Sequence, residues 1–376
     1  MIGSLPRKVL IIGGGTSGNA LAVLLRRAGV AVDLVEARPD WNATAGSGIT
    51  LQGNALRVLR EVGVWDGVRR SGYASDSIGV RAADGTLLGT TQDLRTGGDD
   101  LPATVGMRRP RLQQLLIDAV RSSGAHVRLG TTVAALDPRG GEVSFSDGTT
   151  GRYDLVVAAD GLNSSTRARI GITDRPEPTG MGVWRAPAAR PASVRRTEVT
   201  YGGRCFIAGY CPTGPDSLYV YLVERARDRA TLDPAAYAAE VRTLTEGYGG
   251  PWPEIRASLT DPGTVNYTWF DRHLVEGPWH RGRVVLVGDA AHCCPPTLAQ
   301  GAAMSLEDAL VLAELLTTRA DWDERLLTDY RDRRMFRVRT AVDASVRIGR
   351  WLLDDERDAD IHGLMTRTLT TLKERP

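Results

Sequence analysis

The chain has 376 residues, 42% of them hydrophobic and 24% charged, enough for about two domains at ~100–200 residues each and for a sizeable core. Its 47 basic and 45 acidic residues leave a formal charge of +2, which argues against a general nucleic-acid binder, and no apolar run approaches the ~20 residues of a membrane-spanning helix. Four cysteines are too few for a disulfide framework and point to a reducing cytoplasm; an apolar strand entered near residue 8 leaves no room for a signal peptide.

Taken in order, KVLIIGGG reads as a buried strand running into a glycine-rich turn, followed by a helix with Leu21, Leu24 and Leu25 on one face. Ala31 to Glu36 is a second apolar strand, and Asn54 to Glu61 a further helix with Leu56, Leu59 and Val62 together. MRRPRLQQLLIDAVRSSGAHVRLG predicts another helix (Leu112, Leu115, Leu116, Val120) leading into a strand. EVSFSDGTTGRYDLVVAAD predicts a hairpin and then an apolar strand. From about 173 to 279 the texture changes to short alternating runs, at Thr197 to Tyr201, Cys205 to Tyr210 and Leu218 to Val223, as in a sheet with one covered face. RVVLVGDAAH restores the α/β texture, and the pattern is helical from Met304 almost to the end.

The string GGGTSG places Gly13, Gly15 and Gly18 as G-x-G-x-x-G between a strand and a helix. Such a turn lets the backbone approach a pyrophosphate, and the helix beginning near Ser17 points its free N–H groups at it. Glu36, closing the second strand, suits a ribose diol, and Arg38 is placed for an adenine or phosphate contact. These features predict dinucleotide binding without separating NAD from FAD.

Two later segments separate them. DLVVAADGLNSSTR (154–167) resembles the Asp-Gly motif, and GDAAHCCPPTLAQGAAMSLEDA (288–309) the Gly-Asp motif, of the class A FAD-dependent aromatic hydroxylases, single-component flavoprotein monooxygenases like p-hydroxybenzoate hydroxylase. The three motifs come in that family's order, and the resemblance covers nearly the whole chain, including the helix with Tyr330, Arg331 and Arg334. It implies an α/β fold: a discontinuous Rossmann-like FAD-binding domain (1–72, 101–172 and 280–320), an inserted, mainly antiparallel β-sheet substrate domain (73–100 and 173–279), and C-terminal helices (321–376). By the same resemblance Asp289 holds the ribityl chain, Arg109 reaches FAD, and Asp160 touches the pyrophosphate and assists NADH or NADPH. Gly301 and Ala302 open a helix whose amides face the isoalloxazine's pyrimidine edge, where a positive dipole end would stabilise reduced flavin. One departure concerns the arginine that many relatives place between the ribose-binding acid and the next G-x-G-I. DWNATAGSGI has none, with Asn42 and Gly46 among the candidate replacements.

Three adjacent side chains, His292, Cys293 and Cys294, cannot easily converge on one ion, so no metal is expected. A serine-hydrolase elbow and the W-x-W-x-I signature of flavin halogenases are both missing. His292 stands beside the flavin in the family pattern, as a proton-transfer residue or a structural one. Pro295, Pro296 and Thr297 match the loop over the flavin's reactive face. Tyr201, Tyr210, Tyr219 and Tyr221 lie on strands expected to wall the substrate pocket, with Tyr219 and Tyr221 on one face. A phenol there, Tyr210 foremost, would bind or deprotonate a phenolic substrate; Trp184 and Arg185 are further candidates, the arginine as a carboxylate anchor. The resemblance implies hydroxylation of a phenolic or N-heteroaromatic molecule by O₂ and NAD(P)H through a flavin C(4a)-hydroperoxide. The alternatives are Baeyer–Villiger or epoxide oxygen insertion, or an O₂-independent reduction or dehydrogenation, on the same fold. No membrane or nucleic-acid partner is expected, and the sequence is silent on oligomeric state.

Overall fold

Apolar runs separated by helices line up side by side in the computed structural model, which describes residues 7–41, 48–356 and 358–376. In chain order the elements begin with β1 (Lys8–Ile12), α1 (Thr16–Arg27), β2 (Ala31–Glu36), β3 (Ile49–Gln52), α2 (Gly53–Glu61), α3 (Trp65–Ser71), β4 (Tyr73–Ser75), β5 (Ser77–Arg81) and β6 (Leu87–Gln92). There follow β7 (Thr104–Met107), α4 (Arg109–Ser123), β8 (His126–Leu129), β9 (Val133–Leu136), β10 (Glu142–Phe145), β11 (Thr150–Arg152), β12 (Leu155–Ala158) and α5 (Ser165–Arg169). Next come β13 (Glu177–Ala189), β14 (Thr197–Tyr201), β15 (Ile207–Pro212), β16 (Ser217–Arg225), α6 (Tyr237–Leu244), α7 (Trp252–Ser258) and β17 (Asn266–Leu274). The chain ends with β18 (His280–Arg281), β19 (Val284–Leu286), β20 (His292–Cys293), α8 (Gly301–Thr318), α9 (Glu324–Leu353) and α10 (Ile361–Lys373).

The first sheet has the order β18-β19-β12-β1-β2-β8, parallel except for β18. Its central strands are continuous apolar runs buried throughout, and α1, α4 and α8 form one helical layer in which α1 packs on both of the others. Leu10, Ile11, Leu34, Val156, Val157, Val285 and Leu286 are fully buried there, and each such side chain taken from water stabilises by about 1.5–3 kcal/mol. Two three-stranded sheets, β3-β7-β4 and β11-β10-β9, complete this part of the molecule.

The second large sheet has the order β20-β17-β13-β16-β15-β14-β5-β6 and is antiparallel except where β14 meets β5. Residues 77–92 and 177–274 therefore share one sheet, although 84 residues (93–176) lie between β6 and β13 along the chain. The expectation of a single covered face needs correction, because both faces are covered. On the outer face Trp184, Tyr210, Leu222 and Tyr267 pack against Val241, Trp252 and Ile255 of α6 and α7. On the inner face Met181, Val183, Val223 and Phe270 meet Leu352 and Leu353 at the end of α9. β20, which lies within the Gly-Asp motif, hydrogen-bonds to β17 through the pairs His273↔Cys293 and Leu274↔His292. The motif is thereby stitched to the edge of the second sheet. No helix among the described residues is long and apolar enough to cross a membrane.

Candidate functional site

The turn after β1 is dictated by space. Gly13 adopts φ 107°, and a Cβ there would lie 2.4 Å from the Ala159 carbonyl oxygen; one on Gly18 would lie 2.0 Å from that of Gly13. At Gly15, by contrast, no atom comes within 4 Å of a Cβ position, and α1 starts there without a side-chain cap. The helix therefore presents unsatisfied amides to an open space, the arrangement that receives a phosphate. Gly14 Cα and its neighbours are fixed by Glu36, whose Oε2 accepts the Gly14 amide at 2.9 Å while Oε1 accepts the Arg38 amide at 2.9 Å. The Gly14 carbonyl accepts three side-chain donors, Asn19 (2.9 Å), Trp41 (3.1 Å) and Gln113 (2.7 Å). Trp41 and Gln113 were not among the sequence candidates, since nothing local marks a residue on a distant helix as a clamp for the turn. The stretch in which an arginine is missing is described only at its ends; residues 42–47, with Asn42 and Gly46, lie outside the described residues.

The two later motifs close on this turn. Ser17 is buried against Gly288, whose Cβ would sit 2.8 Å from the Ser17 hydroxyl. Asp160 turns back on its own segment, accepting the Ser164 hydroxyl at 2.5 Å and the Thr166 amide at 3.0 Å, so its visible work is to shape the turn into α5. Arg167, also absent from the sequence candidates, joins the motifs. Its guanidinium donates to the carbonyls of Leu162 (3.0 Å), Asp174 (3.1 Å) and Ala290 (2.9 Å). Asp289 is half-buried. Burial pushes its carboxyl up, against the opposing pull of His292 and Arg109. Arg109 is the exposed first residue of α4. α8 opens at Gly301 and Ala302 with no side-chain cap, and no atom comes within 4 Å of a Cβ on Gly301. Two uncapped helix ends, two carboxylates and room at Gly15 and Gly301 fit an elongated dinucleotide with a flat ring system at one end.

His292 does not face that space. It is 2% exposed, with Nε2 2.7 Å from Asp308 Oδ2 and its ring 5.4 Å from Trp279. Asp308 in turn accepts the Gly288 amide (2.8 Å) and Arg334 Nε (2.7 Å). A proton-transfer role for His292 is therefore replaced by a structural one: it ties the Gly-Asp loop to α8. Pro295 is buried, Pro296 exposed, and the Thr297 hydroxyl donates to the Ser345 carbonyl of α9 at 3.0 Å, fixing the loop from behind.

Strand alternation divides the remaining candidates. Tyr219 and Tyr221 share the inner face, ring centroids 5.7 Å apart, as does Arg185, whose Nη1 donates to Thr268 Oγ1 at 3.1 Å. Tyr219 Oη lies 2.9 Å from Thr50 Oγ1 on β3. Tyr201 is on the same face near the sheet's edge and is 42% exposed. Burial pushes the phenols of Tyr219 and Tyr221 up, so at neutral pH they are hydrogen-bonding phenols rather than bases. Trp184 and Tyr210 lie on the opposite face and are corrected as pocket residues. Trp184 Nε1 donates to Glu224 at 2.7 Å, and Tyr210 packs on Trp252 with its hydroxyl given to Glu198 at 2.5 Å. Tyr210→Phe is expected to cost about 1–2 kcal/mol of stability by depriving the buried Glu198 of a donor, with turnover retained. Denaturant titration beside steady-state assays checks this; lost turnover at unchanged stability would return Tyr210 to the site.

The FAD binding domain family matches residues 7–345. The chain is 32% identical over 349 residues to 2-heptyl-3-hydroxy-4(1H)-quinolone synthase of Pseudomonas aeruginosa, covering 91% of this chain and 90% of that protein. It is 32% identical over 349 residues to 3-amino-4-hydroxybenzoate 2-monooxygenase PtnB3 of Streptomyces platensis, covering 88% and 85%. Among solved structures, Klebsiella pneumoniae HpxO complexed with FAD and uric acid superposes with a TM-score of 0.82 at 23% identity, over 98% of this chain and 92% of that one. The motif order, the paired helix ends and these relationships together place the chain in the FAD binding domain family, as an FAD-dependent monooxygenase of the aromatic hydroxylase type.

Proposed function

We propose that the protein hydroxylates an electron-rich aromatic or N-heteroaromatic ring, consuming NAD(P)H and O₂ and releasing NAD(P)⁺ and water. One observation carries the reading. The loop after Asp289 runs into β20, which pairs with β17, and β17 in turn pairs with β13 and takes a hydrogen bond from Arg185 at Thr268, so the cofactor cradle is tied directly to the candidate substrate wall. Bound FAD would take hydride from the nicotinamide and activate O₂. The chain's own work is to hold and to shield. The free amides of α1 and α8 receive the pyrophosphate and the pyrimidine edge, while Glu36 and Asp289 accept hydroxyls of the ribose and the ribityl chain. The neutral phenols of Tyr219 and Tyr221 orient the ring, and the Pro295–Thr297 loop with the sheet excludes water. The quinolone and aminohydroxybenzoate named in the two relatives, and the uric acid bound by the solved neighbour, are all flat rings carrying oxygen and support this substrate class. Four free cysteines and the use of NAD(P)H favour the cytoplasm. The test is a screen of phenolic and N-heteroaromatic compounds for stimulated NAD(P)H oxidation by the purified yellow protein, under ¹⁸O₂. A ring-hydroxylated product with one labelled oxygen is expected. A labelled lactone or epoxide, or turnover without label, would overturn the hydroxylase assignment.

A further inference from the structure

We propose that the substrate is a planar aromatic anion, its ring lying against Tyr221 and its anionic oxygens paired with Arg185; this rests on the aromatic-hydroxylase reading above. Arg185, Tyr221 and Gly209 form one row across three neighbouring strands, through the register pairs Arg185↔Tyr221 and Gly209↔Tyr221. A Cβ at 209 would meet Tyr221 Cζ at 2.3 Å and Oη at 2.4 Å, so the phenol end of Tyr221 lies down over the glycine. A tyrosine laid flat on a sheet turns a ring face outward, and here that means toward the cleft, where Tyr221 is half-buried and Tyr219 stands beside it.

Next in the row comes a cation without a counter-ion. Arg185 is half-buried, and its hydrogen bond to Thr268 occupies one of five guanidinium N–H donors. Among the described residues no carboxylate lies within 4.0 Å of it, and residues 1–6 and 42–47 contain no Asp or Glu. Burial, with Arg109 adding to it, lowers the guanidinium to about 10, which leaves it charged at neutral pH. Other half-buried arginines are better served: Arg81 by Glu198, Arg227 by Glu224 and Glu240, and Arg26 and Arg190 by two backbone carbonyls each. A charge removed from water without a partner is costly, and a guanidinium edge matches two oxygens side by side. A ligand that brings those oxygens beside a flat ring supplies what the protein omits. A ring carboxylate and an ionised ring oxygen share this chemistry.

The experiment reads binding to the oxidised holoenzyme through perturbation of the flavin absorption band, so it does not depend on turnover. Probes are 4-hydroxybenzoate and 3-amino-4-hydroxybenzoate, each against its primary amide, with urate for the ring-oxygen anion and neutral 2-heptyl-4-quinolone as the contrasting ligand. At least one anion is expected to bind about 30-fold more tightly than its neutral counterpart, as one charge-assisted pair allows. Arg185→Gln should reduce that preference to within about threefold at unchanged FAD content, and Arg185→Lys should restore part of it. Gly209→Ala, which lifts the Tyr221 ring, should weaken acid and amide alike and leave their ratio unchanged. Preference for the quinolone, failure of every anion to perturb the band, or equal weakening of acid and amide by Arg185→Gln would overturn the proposal. Loss of FAD from both Arg185 variants would also overturn it by assigning the cation to the cofactor. An anion bound through Arg185 but never oxygenated would instead refute the hydroxylase reading and leave this one standing.

Discussion

Arg334→Met is expected to be the most destabilising single substitution argued from this structure, at about 3–5 kcal/mol, because it removes one partner from a fully buried ion cluster. Arg334 Nε donates to Asp308 and Nη1 to Glu307, both at 2.7 Å, and all three side chains are 0% exposed. Burial works to raise both carboxyls, yet Arg334 and Arg337 around Glu307, and His292 and Arg334 around Asp308, hold them below the ordinary carboxylate range. Without Arg334, Glu307 keeps Arg337 and Asn54, but Asp308 keeps no arginine, being left with His292, the Gly288 amide and the neighbouring Tyr330 hydroxyl. The penalty therefore falls mainly on Asp308 and is transmitted to the Gly-Asp loop, so weaker FAD retention should accompany the lower stability. Pairing the change with Asp308→Asn should cost less than the sum of the two singles, as expected for groups in direct contact. Urea titration of the four proteins measures both quantities; a single variant within about 0.5 kcal/mol of wild type would show that the cluster contributes little.

This cluster also marks where sequence reading ends. β1, its turn, α1 and Glu36 were legible because each signal is local: an apolar run, glycines at fixed spacing, an acid at the next strand's end. The parallel strands were legible for the same reason. His292 was recognisable as part of a motif, but its role depends on Asp308, 16 residues on, and on Arg334, 26 residues further, and only folding brings them together. Alternation correctly set Tyr219 and Tyr221 on one face. It could not say which face meets the cleft, because the sheet is covered on both sides and each row mixes apolar with polar side chains. Tyr210 and Trp184 were lost to that ambiguity: each stands one residue out of step with a neighbour, Gly209 or Arg185, that does face inward. Trp41 and Gln113 left no trace in the sequence, and Arg167 was visible only as the last residue of a motif, because their partners are backbone carbonyls, which every residue possesses.

Asp289→Ala should leave the fold intact and discharge the cofactor. Asp289 belongs to no ion pair among the described residues; its supports are the Ser305 hydroxyl and the neighbouring charges of His292 and Arg109. Its removal therefore strands no buried charge, unlike Arg334→Met, and the apo protein should unfold within about 0.5 kcal/mol of apo wild type. A carboxylate that accepts ligand hydroxyls contributes about 1.5–3 kcal/mol, so FAD affinity should fall by about 10- to 150-fold. Stabilisation by bound ligand follows its ratio to the dissociation constant, so at a fixed FAD concentration the gap between apo and holo unfolding temperatures should narrow sharply in the variant. Asp289→Asn, which keeps one acceptor oxygen, should fall between the two. Flavin content after gel filtration and thermal unfolding with and without added FAD read these effects separately. A fully yellow Asp289→Ala protein with the wild-type apo-to-holo gap would remove Asp289 from the cofactor site, while a colourless one that is also unstable as the apo form would make its role architectural.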